Sequence, residues 1–153
     1  MIFHPVLDEI REYIAMGLMN GDPADRAKSW RCVLDVAPTG KGRPRFTKTG
    51  RTYTPEKTLN KESEIRYALS MLDAPLFSGP VEVVIKTFFI KPKSAKKRVH
   101  HTVKPDASNI LKLVEDAANG ILYDDDKQIV KCTISKEYGE TERIEIEIRE
   151  IEC

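Results

Sequence analysis

The chain has 153 residues, 41% of them apolar and 32% charged, with a net charge of +1 at neutral pH. That balance describes one soluble globular domain with a core and excludes a disordered or fibrous chain. No run approaches the ~18 apolar residues of a membrane helix, and MIFHPVLDEIREYIAMG carries early acids instead of a basic start, so neither a membrane segment nor a signal peptide is expected.

Residues 5–19 set Leu7, Ile10, Ile14 and Leu18 at helical spacing, which predicts an amphipathic helix. NGDPADRAKS reads as a connector. We therefore divide the chain into an N-terminal helix with its connector, 1–28, and a domain over 29–153. WRCVLDVAP alternates through Cys32, Leu34 and Val36 and predicts a strand. The Gly-rich, basic TGKGRPRFTKTGRTYTP predicts a mobile loop or short hairpin. Residues 55–73 read as a helix with Pro55 in its first turn and Ile65, Leu69 and Leu72 as its stripe. PVEVVIKTFFI is a strong strand, and the basic KPKSAKKRVHHTVKP after it reads as a loop. A helix is predicted over 104–122, then strands over 128–138 and 141–151 joined by a tight turn at Gly139. In the last strand Ile144, Ile146, Ile148 and Ile151 form a buried face, with Glu145, Glu147 and Arg149 facing away. This order implies an α/β or α+β single domain around a mixed sheet with packed helices. The strand order is not readable from it.

Net charge hides an uneven distribution. Residues 38–58 hold six Lys or Arg and one acid, and 86–104 hold seven and none, whereas 137–152 hold seven Glu against Arg143 and Arg149. Two basic segments of this kind can neutralise a polyanion. Lys41, Arg43, Arg45, Lys48 and Arg51 make the first candidate nucleic-acid contact; Lys96, Lys97 and Arg98, with Lys91 and Lys93, make the second. Phe46 and Tyr53 lie within the first segment. Each aromatic taken alone is expected to anchor the loop to the core, although such a loop can also stack on an exposed base. GKG at 40–42 lacks the spacing of a phosphate-binding P-loop.

KPDASNILKLVEDAANGILYDDDKQI, residues 104–129, places an Asp before a helix and three after it. On a helical wheel Ile110, Leu111, Val114, Ala117, Ala118 and Ile121 share one arc, and Asn109, Lys112, Asp116 and Asn119 the opposite one. Asp106, or else Ser108, is a natural cap for free backbone N–H groups. Capping accounts for one such residue and not for Asp124, Asp125 and Asp126. Hard cations such as Mg²⁺ take carboxylates, waters and phosphate oxygens, and the two acidic ends would meet if helix and following strand pack antiparallel. Taken on spacing alone, an N-cap plus an acidic turn is the better account.

The same stretch resembles the signature of the RusA family of Holliday junction resolvases: Asp-x-Asp-Asn, Lys three residues later, Asp-Ala, Asn-Gly, and Asp-Asp-x-Gln-Ile/Val. Asp106, Asn109, Lys112, Asp116, Asp125, Asp126 and Gln128 match, and PTGKGRPRFTKTGRTYTPEKT resembles the basic N-terminal segment of many members. The resemblance covers roughly residues 30–152. It implies a homodimer that resolves four-way or other branched DNA junctions in recombination and repair with Mg²⁺ or Mn²⁺. It further implies Asp106 and Asp126 as metal ligands, Asp125 as a supporting acid and Lys112 as the catalytic lysine. Asp116 matches an acid that either joins the metal set or pairs with Lys112.

Ser108 stands where the family pattern has its second Asp. Either Ser108 joins the metal set through water, or Asp125 or Asp116 supplies the charge, or the protein is a non-catalytic branched-DNA-binding protein on the same fold. His100 and His101 are read as loop histidines near phosphate, less readily as metal ligands, and His4 has no partner in sequence. The three cysteines, Cys32, Cys132 and Cys153, are scattered and odd in number, which fits a reducing, cytoplasmic compartment. They and Trp30 are expected to be packing residues.

Overall fold

The computed structural model describes residues 29–152; the helix expected over 5–19, with His4 and Cys153, lies outside them. The strand β1 (Ser29–Leu34) leads through an extended segment to a small hairpin, β2 (Arg45–Phe46) and β3 (Thr52–Tyr53). Helix α1 (Glu56–Ser70), strand β4 (Val81–Ile90), a 3-10 turn at Lys93–Ala95 and helix α2 (Ala107–Ala118) follow. A second 3-10 turn (Asp126–Gln128), β5 (Ile129–Gly139) and β6 (Arg143–Glu150) complete the domain. This is the expected α+β architecture. No helix among the described residues is long and apolar enough to cross a membrane.

The main sheet has the order β1-β6-β4-β5. Strand β4 is parallel to β5 and antiparallel to β6, and β6 is antiparallel to β1. In place of the expected tight turn at Gly139, residues 140–142 form a short link that passes the end of β4, because β5 and β6 flank β4 on opposite sides. Strands β1, β4 and β5 therefore run the same way, so both basic segments leave from one end of the sheet. Asp124–Asp126 lie at the other end, before β5.

Alternation decides what each strand buries. Val81, Val83, Ile85 and Phe89 of β4 and Ile144, Ile146 and Ile148 of β6 face the helices. Ile151, expected on that face, follows the strand and is only half-buried. On the other face Glu82 meets Arg149 Nε at 2.9 Å and Lys131 Nζ at 3.1 Å. These bonds, that of Lys131 first, hold its carboxyl below the usual range.

Both helices pack against the core face. Helix α1 buries Ile65 and Leu69; Leu72, expected on the same stripe, lies beyond the helix end and is exposed. Helix α2 buries Ile110, Leu113, Val114, Ala117 and Ala118. It is shorter than predicted at both ends. Leu113 is in the core although the sequence arc omits it, while Leu111 and Ile121 pack at its margin. Trp30 and Cys32 pack against the core as expected, and burial pushes the Cys32 thiol up to about 12. Cys132 is exposed and is not the packing residue expected.

Candidate active site

Two sets of bonds fix the frame of the site. Before α2, Lys136 Nζ donates to the carbonyl oxygens of Val103 and Pro105, both at 2.8 Å. After it, Arg66 Nη1 donates to the carbonyl oxygens of Ala117 at 3.2 Å and Asn119 at 2.6 Å. These carbonyls would otherwise lack partners at the helix end. Gly120 then takes φ +76, a left-handed conformation that a side chain would strain. The buried Tyr123 turns its hydroxyl back to the Glu115 carbonyl at 2.8 Å.

The acidic loop is held by Gln128. Its Oε1 accepts from the N–H groups of Asp124 at 2.8 Å and Asp125 at 3.1 Å. Its Nε2 donates to the Phe77 and Gly79 carbonyls at 2.9 and 3.0 Å. Asp125 accepts from Lys127 N–H at 2.9 Å, and that bond above all holds its carboxyl below the usual range. Asp125 is thus a cap of the 3-10 turn, Asp124 is exposed, and Asp126 is the acid that reaches inward.

Helix α2 runs back from the basic end of the sheet to the acidic end, antiparallel to β5. The side chain this brings to Asp126 is Lys112, whose Nζ lies 3.1 Å from Asp126 Oδ2 and 3.2 Å from Asp116 Oδ1. The hydrogen bond to Asp126, then that to Asp116, holds the ammonium above the usual lysine value. Lys112 is therefore a cation and not a general base near neutrality. Asp116 also receives Lys41 of the first basic segment, and Glu62 Oε2 of α1 lies 3.9 Å from the same ammonium. Glu115, absent from the sequence reading, stands three residues after Lys112. Burial, opposed by Lys112 and assisted by Asp126 and Asp116, raises its carboxyl. The i, i+3 offset from Lys112 was the signal that could have found it.

Asp106 occupies the N-cap position, but its side chain makes no capping bond. Six residues at 1.5 Å rise put it about 9 Å along the axis from Lys112. Ser108 is exposed, one turn before Lys112 on the same face. Asp106 lines a cleft of about 650 Å³ with Lys41, Arg43, Arg45, Lys57 and Lys104.

Of the mobile loop or short hairpin expected for the first basic segment, the structure has the hairpin, and the residues before it are seated on the helices. Lys41 N–H donates to the Asn109 carbonyl at 2.8 Å, and Gly42 N–H to Thr58 Oγ1 at 3.0 Å. A Cβ on Gly42 would lie 2.6 Å from that oxygen, and one on Gly40 3.0 Å from Asn109 Cβ, so glycine permits this close approach. Beyond it the hairpin carries Arg45, Lys48 and Arg51 in solvent. The aromatics do not anchor it: Phe46 is 75% and Tyr53 46% exposed. A two-stranded ribbon has no second layer in which to bury them.

In the second segment Lys96 and Lys97 are exposed, and half-buried Arg98 donates to Tyr138 Oη at 3.4 Å. His101 corrects the sequence reading. It is buried and stacked on Phe89 at 3.7 Å between ring centroids, with Tyr138 edge-on at 5.4 Å. Burial, then the Lys136 charge, lowers its pKa. It is a core histidine, while His100 stays exposed.

Among the described residues no three His, Cys, Asp or Glu side chains gather closely enough to enclose a metal ion. The oxygen donors nevertheless suit Mg²⁺ or Mn²⁺: the Asp106 carboxylate is not spent on capping, and such ions are commonly held by one or two carboxylates plus waters and substrate phosphates.

Acids and a fixed ammonium beside a basic cleft suit an enzyme that works on a phosphodiester. Residues 35–149 match the family model Endodeoxyribonuclease RusA, and the chain belongs to the RusA endodeoxyribonuclease family. It is also 33% identical over 129 residues to "Uncharacterized protein YqaN" of Bacillus subtilis (strain 168), covering 74% of this chain and 91% of that one. Membership implies nuclease activity of the Holliday junction resolvase type and binding to branched DNA; RusA resolvases are in general divalent-metal dependent.

Proposed function

We propose that this protein is a divalent-metal-dependent endonuclease that cuts four-way or other branched DNA by paired hydrolysis. The domain from residue 29 onward carries the chemistry. The observation that supports this best is Lys112, held between Asp116 and Asp126 yet 52% exposed at its side chain. A phosphate entering from the basic cleft meets this cation on the open side.

In this reading Asp106 and Asp126 hold the metal, with Ser108 on the same helix face and Asp125 fixing the loop. The metal, when bound, supplies an activated water and a counter-charge for the leaving oxygen. Lys112 stays protonated and stabilises the charge that builds on the phosphate. Arg43, Arg45, Lys48 and Arg51 hold one stretch of backbone, and Lys96, Lys97 and Arg98 another. Phe46, free in solvent, stacks on a base opened at the branch point. A junction offers two equivalent strands, so a two-fold homodimer with two such sites matches its symmetry.

Ser108 favours the second reading, a non-catalytic branched-DNA-binding protein, because a hydroxyl lacks the charge of a carboxylate. The test is incubation of the purified protein with a labelled four-way junction and a matched duplex in Mg²⁺ or Mn²⁺. Paired nicks confined to the junction are expected. Tight junction binding without nicks under either metal would replace the first reading with the second.

A further inference from the structure

Lys41 stands first in the row of candidate DNA-contacting cations, but its surroundings differ from those of its neighbours. Its side chain is 27% exposed, against 52% for Lys112. Its backbone is tied to α2 through Asn109, and its ammonium lies on Asp116, a residue 75 positions away. Arg43 and Arg45, two and four residues on, are exposed.

The ion pairs form a chain. Lys41 takes Asp116 Oδ2, Lys112 lies 3.2 Å from Asp116 Oδ1, and the same Lys112 ammonium lies 3.1 Å from Asp126. Asp116 is the most enclosed member, its side chain 16% exposed. We propose that Asp116 is a shared counter-ion for two lysines, and that Lys41 is a positioning residue of the active site acting through it. This rests on the reading of Lys112 as the cation that meets the phosphate.

The physical reason is competition. Two carboxylates flank Lys112. With Lys41 neutralising one oxygen of Asp116, Lys112 is shared with Asp126 and faces solvent. Without Lys41, the Asp116 charge draws Lys112 inward and repels an incoming phosphate. Lys41 is delivered by a basic segment seated between both helices, so the contact also ties that segment to the reaction centre.

The test uses the full-length protein with Lys41→Met, Lys41→Arg, Asp116→Asn and the Lys41→Met/Asp116→Asn pair. Single-turnover junction cleavage at saturating protein, metal-free junction binding against salt, and amine labelling of lysines read by mass spectrometry are compared. Lys41→Met should slow the saturated rate by about tenfold or more through misplacement of Lys112, without changing the salt slope. Lys41→Arg should recover most of the rate. The pair should be no slower than Asp116→Asn alone, as residues of one network are not additive. Lys41 should label several-fold faster in Asp116→Asn than in wild type. A salt slope lowered by about 0.9 with an unchanged saturated rate would make Lys41 a phosphate ligand and overturn the proposal. Equal Lys41 labelling in wild type and Asp116→Asn would also overturn it. If wild type cuts no branched DNA, the endonuclease reading falls and Lys41 has no reaction to position; labelling then decides the ion pair alone.

Discussion

The two basic segments carry nearly the same number of cations, six and seven, and leave the same end of the sheet, yet they are built for different work. The first is seated between the starts of both helices through Gly40 and Gly42, turns Lys41 inward to Asp116, and carries Phe46 into solvent. The second turns His101 inward, stacked on Phe89, and Lys136 holds the Val103 and Pro105 carbonyls on either side of the exposed Lys104. Its lysines from Lys91 to Lys104 stay exposed, and Arg98 is half-buried against Tyr138. Charge density in a sequence counts cations. Only pairing tells which of them remain available to a polyanion.

The largest effect should come from the acid that neither segment contains. Asp126→Asn should reduce junction cleavage at least about a hundredfold, as loss of one electrostatic group at a reaction centre does. Junction binding should be kept or strengthened, because repulsion toward phosphate is removed. Normal cleavage by this variant would remove Asp126 from the site.

Next, Arg43→Ala with Arg45→Ala should lower the slope of log affinity against log salt by about 1.8, near 0.9 per lost contact. Lys96→Ala with Lys97→Ala measures the second segment on the same scale. An unchanged slope in either pair would take that segment off the DNA surface and leave the comparison one-sided.

A smaller effect belongs to Phe46→Ala. Loss of one stacked base should weaken junction binding by about 1 kcal/mol. Duplex binding and melting temperature should hold, since 75% of the residue is already exposed. Equal weakening on duplex would show that Phe46 does not read the branch.

The smallest is a pH effect in the second segment. Burial and the Lys136 charge lower the His101 pKa, so the unfolded chain takes up a proton near pH 6.5 before the folded one does. His101 therefore contributes stability fully above about pH 6.5, and this is lost as pH falls through and below that value. His101→Phe should keep the stack on Phe89 and flatten the decline in melting temperature between pH 7 and pH 5. Parallel curves for wild type and variant would place the pH sensitivity elsewhere.

Much of the fold was legible because strand and helix periods are local. The alternation of PVEVVIKTFFI and RIEIEIRE identified the central strands, and the apolar arc of 107–118 identified α2. Less legible were features set by distant partners. Leu113 was missed because the wheel could not say how wide a face the sheet would cover. His101 was misread because its neighbours Val99 and His100 are exposed, and nothing local shows that the chain turns in after them. Asp106 was expected to cap with its carboxylate and caps with its backbone alone.

The sequence by itself determined a mixed α and β domain, α/β or α+β, the helix that carries Lys112 and the acidic loop before β5, because each depends on residues within one or two turns of one another. It also marked both basic segments and the Ser108 departure. Only the tertiary structure decided that Lys112 meets Asp126, that Lys41 is spent on Asp116, that Gln128 holds the loop, and that Phe46 is exposed. Those outcomes depend on how distant segments pack, in the case of Lys41 on the close approach of Gly40 to α2. Contacts across 14 and 75 residues are fixed by packing, and no local pattern encodes them.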